Sequence, residues 1–257
     1  MKIVETLSIL FVITLVANCF KIEPRIISGK HATKGQLPWQ VLIKKVGLVW
    51  CGGSIIADEW VLTAAHCTKG EKSLELVFGI IHVKEPGISM KSNQFTEHPQ
   101  YNPSNLNYDI SLIKLPQKLT FNNFIKPITL NKNPDQFTGQ LCTISGWGYM
   151  SDEDLIHSDN LLYAKVNVIT RDNCIEFYGE DYVTDDTICT LGSNLSDESI
   201  CSGDSGGALV IDDGSNPIQI GINSFVADER CTEKIPAGYI RVSSFINFIE
   251  SVIKKQI

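Results

Sequence analysis

Short apolar runs recur through most of this chain, and each is bounded by Gly, Pro, Asn or Asp. Examples are "WQVLIKKV", "GGSIIA", "EWVLTAA", "SLELVFG", "DISLIKL", "LCTISGWG", "GGALVI" and "IQIGINSFV". Their length, β-branched content and punctuation read as strands. No helical segments alternate with them, which argues for an all-β sandwich or barrel and against a parallel α/β sheet. One strong helical pattern closes the sequence. In "SSFINFIESVIKK", Phe245, Phe248, Ile249, Val252 and Ile253 share a face, after a serine cap and before two lysines. It reads as a helix packed on the body. At 257 residues the chain can bury a substantial core, as one large domain or two small ones. No internal repeat, low-complexity tract or long polar linker separates independent modules.

The first residues differ from the rest. "MKIVETLSILFVITLVANC" carries Lys2, then an apolar run from Leu7 to Ala17 that is short for a membrane span, with small residues following. The pattern is that of a secretory signal at residues 1–19, cut after Cys19, so no stable membrane anchor is expected and the chain is secreted. Export places the cysteines where they pair. Of eight, seven remain after Cys19: Cys51, Cys67, Cys142, Cys174, Cys189, Cys201 and Cys231. An odd number leaves one free or bonded elsewhere. A formal charge of −7 with no Lys/Arg-rich block argues against nucleic-acid binding.

Three residues invite a chemical reading. Ser205 sits in "GDSGG", a cluster that by itself is more often an ordinary turn. A serine hydroxyl is a poor nucleophile unless a base takes its proton. "LTAAHC" places His66 at the end of an apolar run beside a cysteine, where a lone histidine is more often structural. "NYDISLIKL" places Asp109 at the mouth of another apolar run, where a carboxylate is costly unless hydrogen-bonded; on its own it is a turn or strand-edge residue.

Taken together, "IISG" preceded by Arg25, then "CGGSII", "LTAAHC", "DISLIKL", "GWG", "GDSGG" and "PAGYIRV" occur in the order seen in chymotrypsin-like (trypsin-fold) serine proteases. The chain resembles that family from about Arg25 to its end. The resemblance implies two packed antiparallel Greek-key β-barrels with a C-terminal α-helix: a protease domain over 26–257, its barrels at about 26–135 and 136–242 and its helix at about 243–255. It implies a serine endopeptidase with Ser205 as nucleophile, His66 as general base and then acid, and Asp109 as the group that holds the imidazole. The N–H groups of Gly203 and Ser205 would form the oxyanion hole, and glycine at 203 lets an amide point inward without a side-chain clash. An esterase of α/β-hydrolase type requires the chain order Ser, acid, His, whereas the order here is His, Asp, Ser. A non-catalytic homologue acting as a binding or regulatory protein is the alternative, and the intact triad weighs against it.

The same resemblance makes 20–25 an activation propeptide, cleaved after Arg25 by a protease of trypsin-like preference. The new amine of Ile26 would then pair with Asp204. It pairs Cys51 with Cys67, Cys174 with Cys189 and Cys201 with Cys231. Cys142 lacks its usual partner, since Ile211 occupies that position six residues after Ser205, and it is expected to be a free, buried, inert thiol.

Six residues before Ser205, at the base of the primary specificity pocket, the chain has Ser199 where trypsin-like members have an aspartate. A cationic side chain would be desolvated there without a countercharge, so cleavage after Lys or Arg is not expected. The pocket walls fall on Ser224, Phe225, Val226 and Ala237. The added bulk of Val226 and Ala237 looks like the elastase branch and favours small-to-medium apolar residues, with a chymotrypsin-like preference for aromatic residues as runner-up. Asp228, Glu229 and Arg230 in the same loop could alter this. Asn194 begins an N-glycosylation sequon. No cofactor or metal is expected: Ile80 stands where a calcium ligand would begin, and His31, His82, His98 and His157 lack metal-ligand spacing and read as surface or loop residues. The expected partners are protein or peptide substrates, the activating protease and protein protease inhibitors, with the enzyme itself a monomer.

Overall fold

The computed structural model describes residues 29–153, 155–193, 197–211, 216–227, 231 and 233–254. Strand β1 (Lys30–His31) is followed by seven strands of one curled sheet: β2 (Gln40–Lys45), β3 (Leu48–Ala57), β4 (Trp60–Thr63), β5 (Leu74–Phe78), β6 (Ile88–Ser92), β7 (Gln94–Glu97) and β8 (Ser111–Lys114). Their order is β6-β5-β2-β3-β4-β8-β7. After β9 (Thr129–Leu130) come β10 (Leu141–Gly146), β11 (Leu162–Val168), β12 (Thr187–Gly192), β13 (Ala208–Ile211), β14 (Ile218–Phe225) and β15 (Ala237–Arg241). In this second sheet β11 pairs with both β10 and β12, which closes β10 to β15 into a barrel. In each sheet the fourth strand returns beside the first, β5 beside β2 and β13 beside β10, which is the Greek-key arrangement.

A division near residue 135 separates β2–β8 from β10–β15, but β1 and β9 cross it. Both precede that point, yet β1 pairs with β11 and β9 runs parallel along β14. Each thereby covers backbone groups that the second sheet would leave open.

The apolar runs follow from what they bury. β11 reads "LYAKVNV" and alternates, with Leu162, Ala164, Val166 and Val168 inward and Tyr163, Lys165 and Asn167 half-exposed. β2 does not alternate, because both its faces are covered. Val41 and Ile43 point into the first barrel, while Leu42 joins Trp39, Trp147, Ala208 and Val210 in the core between the barrels. The terminal helix pattern is observed as a 3₁₀ turn, Val242–Phe245, leading into the last helix (Ile246–Lys254). Phe245, Ile249 and Val252 are buried in the core of the first barrel, so the last helix of the chain returns to the first half of it. No helix among the described residues is long and apolar enough to cross a membrane.

Candidate active site

His66 and Asp109 meet because β4 and β8 are neighbours. Their register sets Thr63 opposite Ser111, so the chain three residues past Thr63 and two residues before Ser111 emerges at one edge. There β4 turns into the one-turn helix α1 (Ala65–Thr68), which carries His66. The Cys51–Cys67 disulfide fastens α1 to β3. Asp109 is 0 % exposed and each of its oxygens is occupied. Oδ1 accepts the His66 backbone N–H at 2.8 Å; Oδ2 lies 2.7 Å from His66 Nδ1 and accepts the Ser224 hydroxyl at 2.6 Å. With Nδ1–H directed at the carboxylate, Nε2 of His66 is left as the proton-accepting nitrogen. Burial of the ring opposes its charged form, but the charge of Asp109 and its hydrogen bond outweigh that, and the His66 pKa is raised above 6.5.

Ser205 lies in a tight turn between the Cys201–Cys231 disulfide and β13. The turn rests on the first barrel, where Gly52 N–H donates to the Ser205 carbonyl at 2.7 Å. Two glycines in it have φ values that side chains rarely tolerate: Gly203 at +98° and Gly206 at +80°. Space is equally restrictive, since a Cβ at Gly206 would meet the Gly52 carbonyl oxygen at 2.6 Å. Between them Asp204 is 0 % exposed. Its carboxylate accepts the N–H groups of Gly148 at 2.7 Å and Cys201 at 3.0 Å. Burial pushes the Asp204 carboxyl from 3.8 up to about 7, against the pull of those two donors. Among the described residues no cation is paired with it.

Ser205 opens onto a cavity of about 250 Å³ bordered also by Ile200, Ser202, Ser224, Phe225, Val226 and Leu106. Of the pocket residues expected from sequence, Ser224, Phe225 and Val226 border it. Ser199 and Ala237 are buried, at 6 % and 1 % exposure, and are not among its lining residues. Ser224 has a second part in the site, because its hydroxyl is the third hydrogen-bond donor to Asp109. Leu106, Ile200 and Ser202 were not singled out by sequence. The only local sign at Leu106 is its place in the polar turn "PSNLNY", where it adopts φ +55°.

The other cysteines among the described residues are accounted for. Cys174 bonds Cys189, and Cys142 is free and buried, its thiol pushed up to about 12 by burial despite the nearby Lys165. In the loop after β5, the Glu85 carboxylate is taken by the Lys34 ammonium and by Ile81 N–H. His98 is packed among the rings of Tyr108, Phe245 and Phe248 rather than free at the surface. Arg25, Ile26, Asn194 and the loop residues Asp228, Glu229 and Arg230 lie outside the described residues, as do Cys19 and the signal region.

Comparison with known proteins bears on what this arrangement is. Residues 26–249 match the family model described as trypsin. A protein named collagenase from Hypoderma lineatum is 33 % identical over 242 residues, 91 % of this chain and 90 % of its own length. A protein named brachyurin from Leptuca pugilator is 33 % identical over 229 residues, 88 % of this chain and 97 % of its own. The solved structure of HL collagenase superposes with a TM-score of 0.80 at 32 % identity, covering 89 % of this chain and 98 % of that one. Mouse neuropsin, described as a serine protease, gives 0.79 at 29 % identity over 88 % of this chain and 99 % of its own. The chain is a chymotrypsin-like serine endopeptidase and belongs to the trypsin family.

Proposed function

We propose that this endopeptidase is secreted as a zymogen and cleaves protein substrates through an acyl-enzyme, after small-to-medium apolar residues. The observation that carries the catalytic part is the doubly anchored Asp109–His66 pair, with a buried carboxylate fixing both the backbone and Nδ1 of the histidine. In the first step Ser205 Oγ bonds to the substrate carbonyl carbon while its proton passes to His66 Nε2. The carbonyl oxygen takes up negative charge and is met by the N–H groups of Gly203 and Ser205. The resulting imidazolium is stabilised by Asp109 and returns its proton to the leaving amine as the peptide bond breaks. Water repeats the sequence on the acyl-enzyme, releasing the acid and restoring Ser205.

Specificity rests on what borders Ser205. Val226 and Phe225 narrow the cavity, and among the described residues no carboxylate lines it, so the pocket suits an uncharged side chain of modest size. An aromatic residue at that position is the second reading. It is favoured by the cavity's apolar walls at Ile200, Leu106 and Phe225. Activation by cleavage after Arg25 and pairing of the Ile26 amine with Asp204 are supported by the buried carboxylate of Asp204, which is suited to receive a cation. A protein inhibitor occupying the cleft is a further expected partner. The relative named collagenase makes collagen the first protein substrate to assay. The test is a panel of chromogenic peptides varied only before the scissile bond, with Ser205 titrated by an organophosphorus reagent. Strong cleavage after Arg or Lys sinks the specificity reading, and failure of Ser205 to be labelled sinks the catalytic one.

A further inference from the structure

His157 is read from sequence as a surface or loop residue, and it does lie in the loop between β10 and β11, but it is turned inward. Its backbone forms an isolated antiparallel bridge with Tyr149, and the two rings lie 4.5 Å apart. The imidazole rests on the glycine two residues before Ser205. A Cβ placed on Gly203 would meet His157 Cε1 and Nδ1 at 2.7 Å each, and the Gly148 α-carbon at 3.0 Å. The Cβ side of Gly203 is thus packed against an imidazole and against Gly148, whose own N–H is fixed by Asp204. His157 Nδ1 is buried and has no hydrogen-bond partner among the described residues. The Trp147 backbone also meets the ring, and Nδ1 is one of the two ring atoms that face the Gly203 turn. A buried polar atom without a partner costs free energy and calls for an explanation.

We propose that His157 is a positioning residue for peptide hydrolysis: its neutral imidazole closes the outer side of the Gly203 turn and holds that glycine's amide at the angle needed to meet the developing oxyanion. The idea rests on the protease reading above. A ring at this place fixes a backbone unit that has no side chain of its own to anchor it. Protonating Nδ1 adds a proton that finds no acceptor there and forces the ring away from Gly203. Burial already lowers the His157 pKa, with the Trp147 carbonyl opposing. Among the described residues, the titratable groups shown beside it are Tyr149 in its own loop and Asp204, whose carboxylate lies against Gly148. Asp159, two residues on, is drawn instead to Lys84 at 3.4 Å.

The experiment compares the trypsin-processed wild type with His157→Ala and His157→Phe on one chromogenic peptide across pH. His157→Ala is expected to lower kcat roughly tenfold while KM changes less than about twofold, because the oxyanion contact forms only in the transition state. His157→Phe keeps the ring volume and is expected to recover most of kcat. It should also change the pH profile. In the wild type the acid limb of kcat/KM steepens towards a two-proton slope once both His66 and His157 are protonated, and in His157→Phe it stays at one proton. A space-filling role alone leaves that slope unchanged, so the slope decides even if His157→Ala folds poorly. Wild-type kcat in His157→Ala, a loss confined to KM, or a one-proton limb in the wild type overturns the proposal. A processed wild type that neither hydrolyses peptides nor reacts with an organophosphorus reagent overturns the protease reading itself.

Discussion

Asp204 offers the sharpest test of the proposed activation. In the uncleaved chain, here Arg25→Gln, its carboxyl is buried against two N–H donors, and burial raises its pKa from 3.8 to about 7. A carboxyl whose folded pKa lies above the unfolded one stabilises the fold fully below the unfolded value, and that contribution is lost as pH rises through the folded value. Over a gap of about three pH units, at about 1.36 kcal/mol each, the whole effect is about 4 kcal/mol, and about 3 kcal/mol of it falls between pH 5 and pH 8. Denaturant unfolding of Arg25→Gln at those two pH values should therefore show a loss of that order. Adding Asp204→Asn removes the titrating group, so the pH dependence should flatten even though the amide itself lowers stability. The proposed cleavage after Arg25 would supply an α-amine that remains charged up to about pH 8. The processed protein should then keep its stability across the same range. Equal pH slopes in Arg25→Gln with and without Asp204→Asn, or in cleaved and uncleaved protein, refute the reasoning.

Three further outcomes follow from the site. Asp109→Asn removes both the charge and the hydrogen bond that raise His66 and leaves burial unopposed, so the acid limb of kcat/KM moves to lower pH. The accompanying fall in kcat should be roughly 10⁴-fold, the magnitude known for this triad when its aspartate becomes an amide. Val226→Gly widens the cavity beside Ser205 and should raise kcat/KM for Phe relative to Ala before the scissile bond by about tenfold or more, read on paired peptides. Cys142, buried and pushed up to about 12, should resist iodoacetamide in the native protein at pH 8 and react once strong denaturant exposes it, as peptide mass spectrometry would show.

How far the sequence spoke for itself depended on whether a residue's task was local. Val41 to Ile43 read as a strand because a run apolar at every position needs a cover on both faces, and the structure supplies a barrel core on one and the interbarrel core on the other. The helical face from Phe245 to Ile253 was equally plain, although nothing local says that it packs on the first barrel and not the second. What sequence could not show is where strands far apart in the chain deliver their ends. Ser224 looks like any serine at the end of β14, and its hydroxyl reaches Asp109 only because the two barrels bring positions 115 residues apart together. β1 and β9 failed for the same reason, since pairing with the second sheet leaves no mark on two-residue strands. The inward turn of the His157 ring was not legible, because a polar residue in a polar loop reads as solvated until the loop is seen folded over Gly203.

The Ser205 turn belongs to neither barrel alone, and this explains its composition better than flexibility does. The Gly52 amide of the first barrel holds the Ser205 carbonyl, while Asn223 of the second holds the Asp204 carbonyl through its side chain at 2.8 Å and accepts the Gly206 N–H at its own carbonyl. A side chain at 206 would strike the Gly52 carbonyl, so the barrels can close on Ser205 only if that position is glycine. Asp109 spans the same seam, anchored on the first barrel and bonded to Ser224 on the second. A change that shifts one barrel against the other therefore moves the histidine's support and the serine's backbone together. Substitutions in the core between the barrels, such as Leu42→Ala, should then cost activity at temperatures well below those at which the protein unfolds.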